Sequence, residues 1–388
     1  MDFQLGEQQR SIRDAIQKIC APFDAAYWLR VDREGIFPHD FRRALAEAGW
    51  LGIAMPQEYG GAGLGITDAA VMLQAIAASG AGMTGAGAVH INIFGLNPVV
   101  VFGTPEQKAR ALPALIQGRD IPCFAVTEPN TGLDTTRMTT FAQRDGDVYR
   151  VNGQKIWITT AQQANKILLL ARTQTREEAD KPSRGMTLFY TDIDRTRVEM
   201  REIEKMGRKA IDSNMLFFDD FCIPVEDRIG EEGRGFEYML HGMNPERILI
   251  GACAIGVGQA ALDLAVRYAG ERVVFGRPIG QNQGVQHPLA ECWMQLEAAS
   301  LMVLKAASLY DSGQPCGAEA NTAKYLGAEA GFRACETAVM THGGMGYAKE
   351  YHVERLLRES LIPRIGPITP QLILCYIAER VLGLPKSY

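Results

Sequence analysis

The spacing of apolar residues changes twice along the 388-residue chain. In residues 1–120 apolar positions recur every three or four residues, as Phe41 and Leu45 do, and Gly and Pro separate the segments. Residues 121–230 contain short β-rich runs instead, and the helical spacing returns over long stretches of residues 231–388. The pattern predicts an α+β chain with a helical domain, a β domain and a second helical domain, in that order.

The middle region carries the turn and strand signals of a small β domain. Asp145-Gly146 and Asn152-Gly153 are dipeptides typical of hairpin turns. The β-rich runs are residues 148–151, 156–159, 167–170 and 186–190. In the third region, apolar positions from Leu289 to Ala307 follow a helical period, which predicts long helices in a closing bundle.

A glycine-rich run at residues 60–65 (GGAGLG) does not predict a dinucleotide site. Ile66 stands where the fingerprint needs its last glycine, and no strand pattern precedes the run. The order of helical, β and helical regions also differs from the alternating strands and helices of a Rossmann fold.

Composition narrows the class of protein and its compartment. Forty basic against 45 acidic residues give a net charge of −5, which argues against nucleic acid as a partner. The eight cysteines form no CxxC pair, and no histidine stands at zinc-finger spacing, so a zinc site or disulfide framework is not expected. The first residues are amphipathic, and no uninterrupted apolar run approaches ~18 residues. These features predict a reduced, cytoplasmic protein without a membrane span.

Six strings, in one order along nearly the whole chain, resemble the acyl-CoA dehydrogenase family. They are residues 102–108 (FGTPEQK), 125–129 (AVTEP), 152–159 (NGQKIWIT), 271–279 (ERVVFGRPI), 342–347 (HGGMGY) and 350–355 (EYHVER). The resemblance implies an N-terminal helical domain, a middle β-barrel or sheet domain and a C-terminal four-helix bundle. It also implies FAD as the cofactor, whose redox chemistry the protein serves by placement and electrostatics.

The resemblance assigns flavin contacts to the two middle strings. Trp157 would lie against the isoalloxazine, the Thr159 hydroxyl would reach its N5 edge, and Thr127, next to Val126, would bond the pyrimidine part. Two residues apart on a strand, Trp157 and Thr159 would project from the same face. From the residues alone, Trp157 as a core aromatic and Thr159 as a β-former remain the alternative.

Further cofactor positions lie in the C-terminal region. By the resemblance, Arg272 and Gln283 would hold the FAD pyrophosphate of a neighbouring subunit, for which a guanidinium fork is suited. The remaining matched cofactor positions are Phe275, Gly343, Gly344, Thr369 and Gln371. A solvated Arg272 and a simple helix-linking turn at the glycine pair remain alternatives. FAD sites that need two chains imply a homotetramer.

The usual catalytic carboxylate of the family is absent. Family members abstract a proton from Cα of an acyl-CoA and pass a hydride from Cβ to the flavin, giving a trans-2-enoyl-CoA. Most members carry the base in a Tyr-Glu-Gly-Thr string, where this chain has Gly366, Pro367, Ile368 and Thr369. Isovaleryl and long-chain members place it in a Glu-Arg pair on an earlier helix.

The matching string here is residues 243–248 (MNPERI), which makes Glu246 the predicted base, with Asn244 and Arg247 beside the substrate. Gly366, small where the tyrosine usually stands, implies a pocket for a bulky or branched acyl chain. From the residues alone, Asn244 as N-cap, Pro245 at the first helical position and Glu246 in the first turn describe an ordinary helix start.

Pro367 adds a second departure, because it has no N–H to donate to the thioester carbonyl. Either Ile368 donates instead, or the FAD ribitol carries more of this role, or the reaction differs. The leading prediction is an acyl-CoA dehydrogenase of fatty acid metabolism that passes electrons to an electron-transferring flavoprotein. The alternatives are a desulfinase, oxidase or monooxygenase on the same fold, and a degenerate homologue that acts as a scaffold.

Overall fold

The N-terminal third of the protein is helical. The computed structural model describes residues 4–387. The helices of this part are α1 Glu7–Cys20, α2 Ala25–Glu34, α3 His39–Glu47, α4 Ile66–Ile76, α5 Gly82–Phe94, α6 Asn97–Phe102 and α7 Pro105–Ile116. The Asp311 carboxylate accepts hydrogen bonds from the first N–H groups of α4. The end of the glycine-rich run is therefore capped by the protein's own acid.

An eight-stranded sheet forms the middle part, as the β-rich runs predict. Its strands are β1 Pro122–Ala125, β2 Phe141–Asp145, β3 Val148–Thr159, β4 Lys166–Arg172, β5 Met186–Asp192, β6 Val198–Glu202, β7 Ser213–Pro224 and β8 Arg228–Ile229. The strand order is β6-β7-β3-β2-β4-β5-β8, and β1 pairs in parallel with β4.

The C-terminal part consists of long helices and one small hairpin. Its elements are α8 Gly235–His241, α9 Met243–Glu271, β9 Val273–Val274, β10 Arg277–Pro278, α10 Gln283–Asp311, α11 Gly317–His342, α12 Val353–Ile365 and α13 Pro370–Arg380. Helices α9 to α12 pack together, and α9 also contacts α4 and α5. One hydrophobic core therefore joins the two helical parts.

Two turn and cap predictions from the sequence were wrong. Asp145-Gly146 does begin the β2–β3 hairpin, but Asn152-Gly153 lies inside β3, at a register shift where Gly153 has a φ of 146°. A Cβ at Gly153 would come within 2.7 Å of the Thr140 backbone, so a close approach of strands requires this glycine. Asn244 is not the N-cap of α9, because Gly242 already has helical angles and the helix begins at Met243.

Three stretches are long and apolar enough to cross a membrane by length and composition alone. They are Ile66–Phe102, Gly235–Glu271 and Val353–Arg380. In the first two stretches, 78% and 83% of an apolar 18-residue window is buried inside the protein, which accounts for its apolar character. In the third stretch only 11% of such a window is buried, so its apolar side chains form a surface.

Candidate active site

A buried ion pair joins the two middle strings that were predicted to bind flavin. Lys155 on β3 is fully buried and donates hydrogen bonds to the Val126 carbonyl (3.0 Å) and to Glu128 Oε1 (2.9 Å). The Ile156 N–H donates to the Thr127 carbonyl at 2.9 Å. Val126 and Thr127 are therefore held directly beside the β3 segment that carries Trp157.

Trp157 is an exposed aromatic at an irregular point of β3. Its side chain is 55% exposed, its φ is 62°, and the register of β3 against β7 shifts between Lys155 and Ile158. Ile158 is buried in the core of the sheet, whereas Thr159 is half-buried. Trp157 is therefore not a core aromatic, and the alternative drawn from the residues alone is wrong for it.

The C-terminal cofactor positions form a second, separate group. Phe275 and Gly276 make the turn of the β9–β10 hairpin with φ values of 52° and 79°, and the Phe275 side chain is fully exposed. Arg272 and Gln283, on either side of this hairpin, are exposed as well. No hydrogen bond or ion pair within residues 4–387 joins this group to the Trp157 region.

The ends of α11 and α12 supply the remaining predicted cofactor positions. Gly343 and Gly344 follow α11, and a Cβ at either position would have no atom within 4 Å, so their backbone faces open space. Thr369 is the N-cap of α13, accepting a hydrogen bond from the Leu372 N–H, and Gln371 is exposed in the first turn. Thr369 therefore has a local role that needs no cofactor.

Glu246 is a buried carboxylate in the first turn of α9. Glu246 is only 5% exposed, and its Oε2 lies 2.7 Å from Nε2 of His90 on α5. The angles do not suit a hydrogen bond, and neither atom has another partner in the part of the chain that the structure describes. The His90 ring packs on Phe94 with centroids 4.6 Å apart. A buried carboxylate oxygen with unused lone pairs can accept a proton.

A second buried carboxylate nearby, Glu359 on α12, is fully satisfied instead. It accepts hydrogen bonds from the N–H and the hydroxyl of Thr84 (3.0 and 2.8 Å) and from Arg355 Nη1 (3.0 Å). Such a network holds α12 against α5. Of the two acids, Glu246 is the one whose bonding leaves it free to react.

The loop after α12 is bonded to Lys324 of α11, which lies near Arg247 at the start of α9. Fully buried Lys324 donates a 2.7 Å hydrogen bond to the Ile368 carbonyl, and burial lowers the pKa of Lys324 to about 8. Arg247 Nη1 donates to Asn244 Oδ1 at 2.9 Å, and burial lowers the pKa of Arg247 while the charge of Glu246 opposes this. Gly366 has room for a side chain, since a Cβ there would meet only the Ile362 carbonyl at 3.9 Å.

Comparison with known proteins identifies the class. The N-terminal domain of acyl-CoA dehydrogenases matches residues 6–119, the middle domain matches residues 123–221, and the C-terminal domain matches residues 233–382. The chain therefore belongs to the acyl-CoA dehydrogenase family and is an FAD-dependent oxidoreductase of that class.

Its relatives match it from end to end. Acyl-CoA dehydrogenase FadE12 of Mycobacterium tuberculosis is 35% identical over 386 residues, which are 98% of each chain. The structure of butyryl-CoA dehydrogenase from Megasphaera elsdenii superposes with a TM-score of 0.93 at 30% identity, covering 98% of this chain and 100% of that one. A chain solved in a study of the electron-transferring flavoprotein of Acidaminococcus fermentans gives 0.92 at 31% identity, with 98% and 100% covered.

The residues present fit a flavin in two respects. The exposed Trp157 indole offers a flat apolar wall beside the ordered Thr127 segment, and Gly343-Gly344 leaves backbone open to close approach. His90, Lys155 and Lys324 were not predicted as site residues. Lys155 stands inside a string that resembles the family, but only the fold shows that it holds Glu128, and no local signal pairs His90 with Glu246.

Proposed function

We propose that the protein oxidises an acyl-CoA thioester to its trans-2-enoyl-CoA, with Glu246 as the base that removes the Cα proton. The observation that carries this proposal is the state of Glu246, a buried carboxylate with an unsatisfied oxygen on a rigid helix. The loop where most family members carry the base has Gly366 and Pro367 instead, and the described structure offers no carboxylate on that loop.

Glu246 stands on a continuous helical backbone, because α8 runs almost directly into α9 and the Glu246 N–H donates to the Gly242 carbonyl at 3.1 Å. His90 limits where the Glu246 carboxylate can turn, because Nε2 stands 2.7 Å from Oε2. When bound, FAD supplies the acceptor for the hydride that leaves Cβ.

Ile368 is the donor we assign to the thioester carbonyl. Pro367 has no N–H, whereas the Ile368 N–H makes no hydrogen bond within residues 4–387. Its own carbonyl is held by Lys324, so the orientation of this part of the loop is fixed. A preorganised N–H stabilises the negative charge that develops on the carbonyl oxygen during enolate formation.

A bulky or branched acyl group, an electron-transferring flavoprotein and a homotetramer complete the proposal. The open space at Gly366 supports a bulky or branched acyl group. The structural similarity to the Acidaminococcus fermentans chain supports an electron-transferring flavoprotein as the partner. Exposed apolar side chains on α10 and the C-terminal stretch, among them Trp293, Leu301 and Leu374, support association of several copies. The fully exposed Phe275 turn supports a cofactor site completed by a neighbouring subunit.

The test is an anaerobic titration of the purified yellow holoenzyme with straight, branched and carboxylated acyl-CoAs, followed by visible flavin absorbance. At least one thioester should bleach the flavin. Glu246→Gln should keep FAD and slow reduction by about 100- to 10,000-fold, the usual contribution of a general base. Glu237→Gln is the matched control, because Glu237 lies on neighbouring α8 with its side chain 55% exposed.

Two results would contradict the proposal. A flavin that no acyl-CoA reduces excludes the dehydrogenase reaction and favours the other flavin-dependent reactions. Near-normal reduction in Glu246→Gln would remove Glu246 from the mechanism and leave the dehydrogenase reaction with another base.

A further inference from the structure

Arg208 presents a guanidinium without a protein partner beside the candidate base. The residue lies in the loop between β6 and β7, its Nε is fully buried, and Nε has no hydrogen-bond acceptor. Neither Nη nitrogen donates a hydrogen bond or makes an ion pair to any residue from 4 to 387. Arg208 is half-buried, and its two Nη nitrogens are open to an acceptor from outside the chain, either water or a bound ligand.

The guanidinium lies on the same face of α5 as the contact between His90 and Glu246. A Cβ at Gly87 would overlap Arg208 Nη2, so glycine at this position is what admits the guanidinium. His90 follows Gly87 by three residues, and residues so spaced are neighbours on one helix face. The charges of Glu359 and Glu246 both act on Arg208. Arg208 is therefore about one helical turn from the contact between His90 and Glu246, the residue that would take the Cα proton of the substrate.

The backbone directs this side chain inward. Arg208 has a φ of 54°, a left-handed conformation that is rare for a residue with a long side chain. The preceding segment is fixed to α12, because Arg358 Nη1 donates to the Met206 carbonyl at 2.9 Å and Gly207 packs against the Arg358 backbone. Backbone conformations of this kind are kept mainly where function requires them.

Neither nearby carboxylate pairs with Arg208. Glu359 is engaged by Thr84 and Arg355, and Glu246 faces His90. We propose that Arg208 binds a carboxylate carried by the acyl group, so that the substrates are carboxyacyl-CoA thioesters, an inference that rests on the proposed dehydrogenase function. A guanidinium fork matches the two oxygens of a carboxylate, and a carboxylate a few carbons beyond Cα reaches it.

The charge count of the cluster is compatible with this ligand. Three arginines, Arg208, Arg355 and Arg247, act on the two buried glutamates Glu246 and Glu359, so a bound carboxylate brings this group of charges to neutrality.

Binding is measured first, with product-type ligands that need no turnover. Calorimetry on the holoenzyme compares glutaconyl-CoA, which ends in a carboxylate, with trans-2-pentenoyl-CoA, which has the same chain length and a methyl end. The native enzyme should prefer glutaconyl-CoA by about 10- to 100-fold, because pentenoyl-CoA leaves the Arg208 guanidinium without an acceptor. Arg208→Met should abolish this preference while keeping pentenoyl-CoA binding, and Arg208→Lys should restore part of it.

Lys209→Met is the control, since Lys209 is the exposed neighbour that donates to the Arg33 carbonyl at 3.1 Å. It should keep the preference of the native enzyme. The rates of flavin reduction by glutaryl-CoA and pentanoyl-CoA should show the same pattern. Equal binding of both ligands by the native enzyme, or a preference unchanged in Arg208→Met, would overturn the inference and leave the proposed function intact. If no thioester binds or reduces the flavin, the proposed function fails and the inference with it.

Discussion

Replacing Lys155 tests whether one buried ion pair holds the flavin-facing part of the β domain together. Lys155 is fully buried, Glu128 is 3% exposed, and the pair is 2.9 Å apart. In Lys155→Met the Glu128 carboxylate stays buried with only its bonds from Thr139 and Thr140, and the Val126 carbonyl loses its donor. Removing one partner of such a pair costs about 3–5 kcal/mol, because the remaining charge has no counterion.

The double variant Lys155→Met with Glu128→Gln separates the ion pair from simple packing. A neutral amide removes the orphaned charge and its oxygen keeps an acceptor for the two Thr139 donors, whereas its NH2 group faces the Thr140 N–H. One unpaired donor costs about 1–3 kcal/mol, so we expect the double variant to be less destabilised than Lys155→Met alone. Lys166→Met is the matched surface control. Lys166 pairs with Asp192, which is 79% exposed, and its loss should cost below about 1 kcal/mol.

Hydrogen exchange of the β3 amides gives the local free energy of opening for each variant, with FAD content measured on the same samples. The Ile156 amide is a direct probe, because it donates to the Thr127 carbonyl. Lys155→Met should lose protection there and release FAD. If the double variant opens at least as easily as Lys155→Met, the orphaned charge is not the cause, and the reasoning is refuted.

Three further predictions concern the base, the loop and the interface. His90→Gln should keep FAD and slow flavin reduction by up to about 100-fold, because Glu246 loses the neighbour that limits its orientation; an unchanged rate would contradict this. The native protein should gain at most about 3 kcal/mol in free energy of unfolding as the pH rises from 8 to 10.5, as measured by thermal unfolding at each pH. Lys324→Met should lack this gain. The sign follows because the folded pKa lies below the unfolded one, so only the unfolded state binds the proton in that range. Phe275→Ser should leave the fold intact but weaken self-association and FAD retention, as measured by light scattering and absorbance.

The sequence allowed the fold to be predicted where the pattern is periodic. Helical spacing in the outer thirds and β-rich runs in the middle correspond to the observed helices and sheet. Local signals failed where distant contacts decide. Asn152-Gly153 is a dipeptide typical of turns, but it lies inside β3, where Thr140 packs against Gly153. Asparagine is typical of helix N-caps, but at Asn244 the helix α8 runs almost directly into α9 and leaves no N-terminus to cap.

Contacts between charged residues far apart in the sequence could not be predicted from the sequence either. The contact between His90 and Glu246 depends on how α5 packs against α9, and nothing local to either residue indicates it. Arg208 is inconspicuous in the sequence for the same reason. Its importance comes from the missing Cβ at Gly87 and from acids that already have other partners.

The place of the base can be tested by putting a carboxylate at Gly366, one residue before Pro367, which stands where most family members carry the base. Gly366 has φ −114° and ψ 167°, an extended conformation that a glutamate adopts without strain, and its Cβ would meet no atom closer than 3.9 Å. Glu246→Gln with Gly366→Glu should therefore fold and reduce its flavin at least about 10-fold faster than Glu246→Gln alone, if a carboxylate at that position can act as a general base. Gly366→Glu alone should lose activity towards the largest acyl chains first, because the new side chain occupies space that the glycine leaves open. Equal rates in the double variant and in Glu246→Gln, with FAD retained in both, would show that position 366 does not place a carboxylate at the substrate.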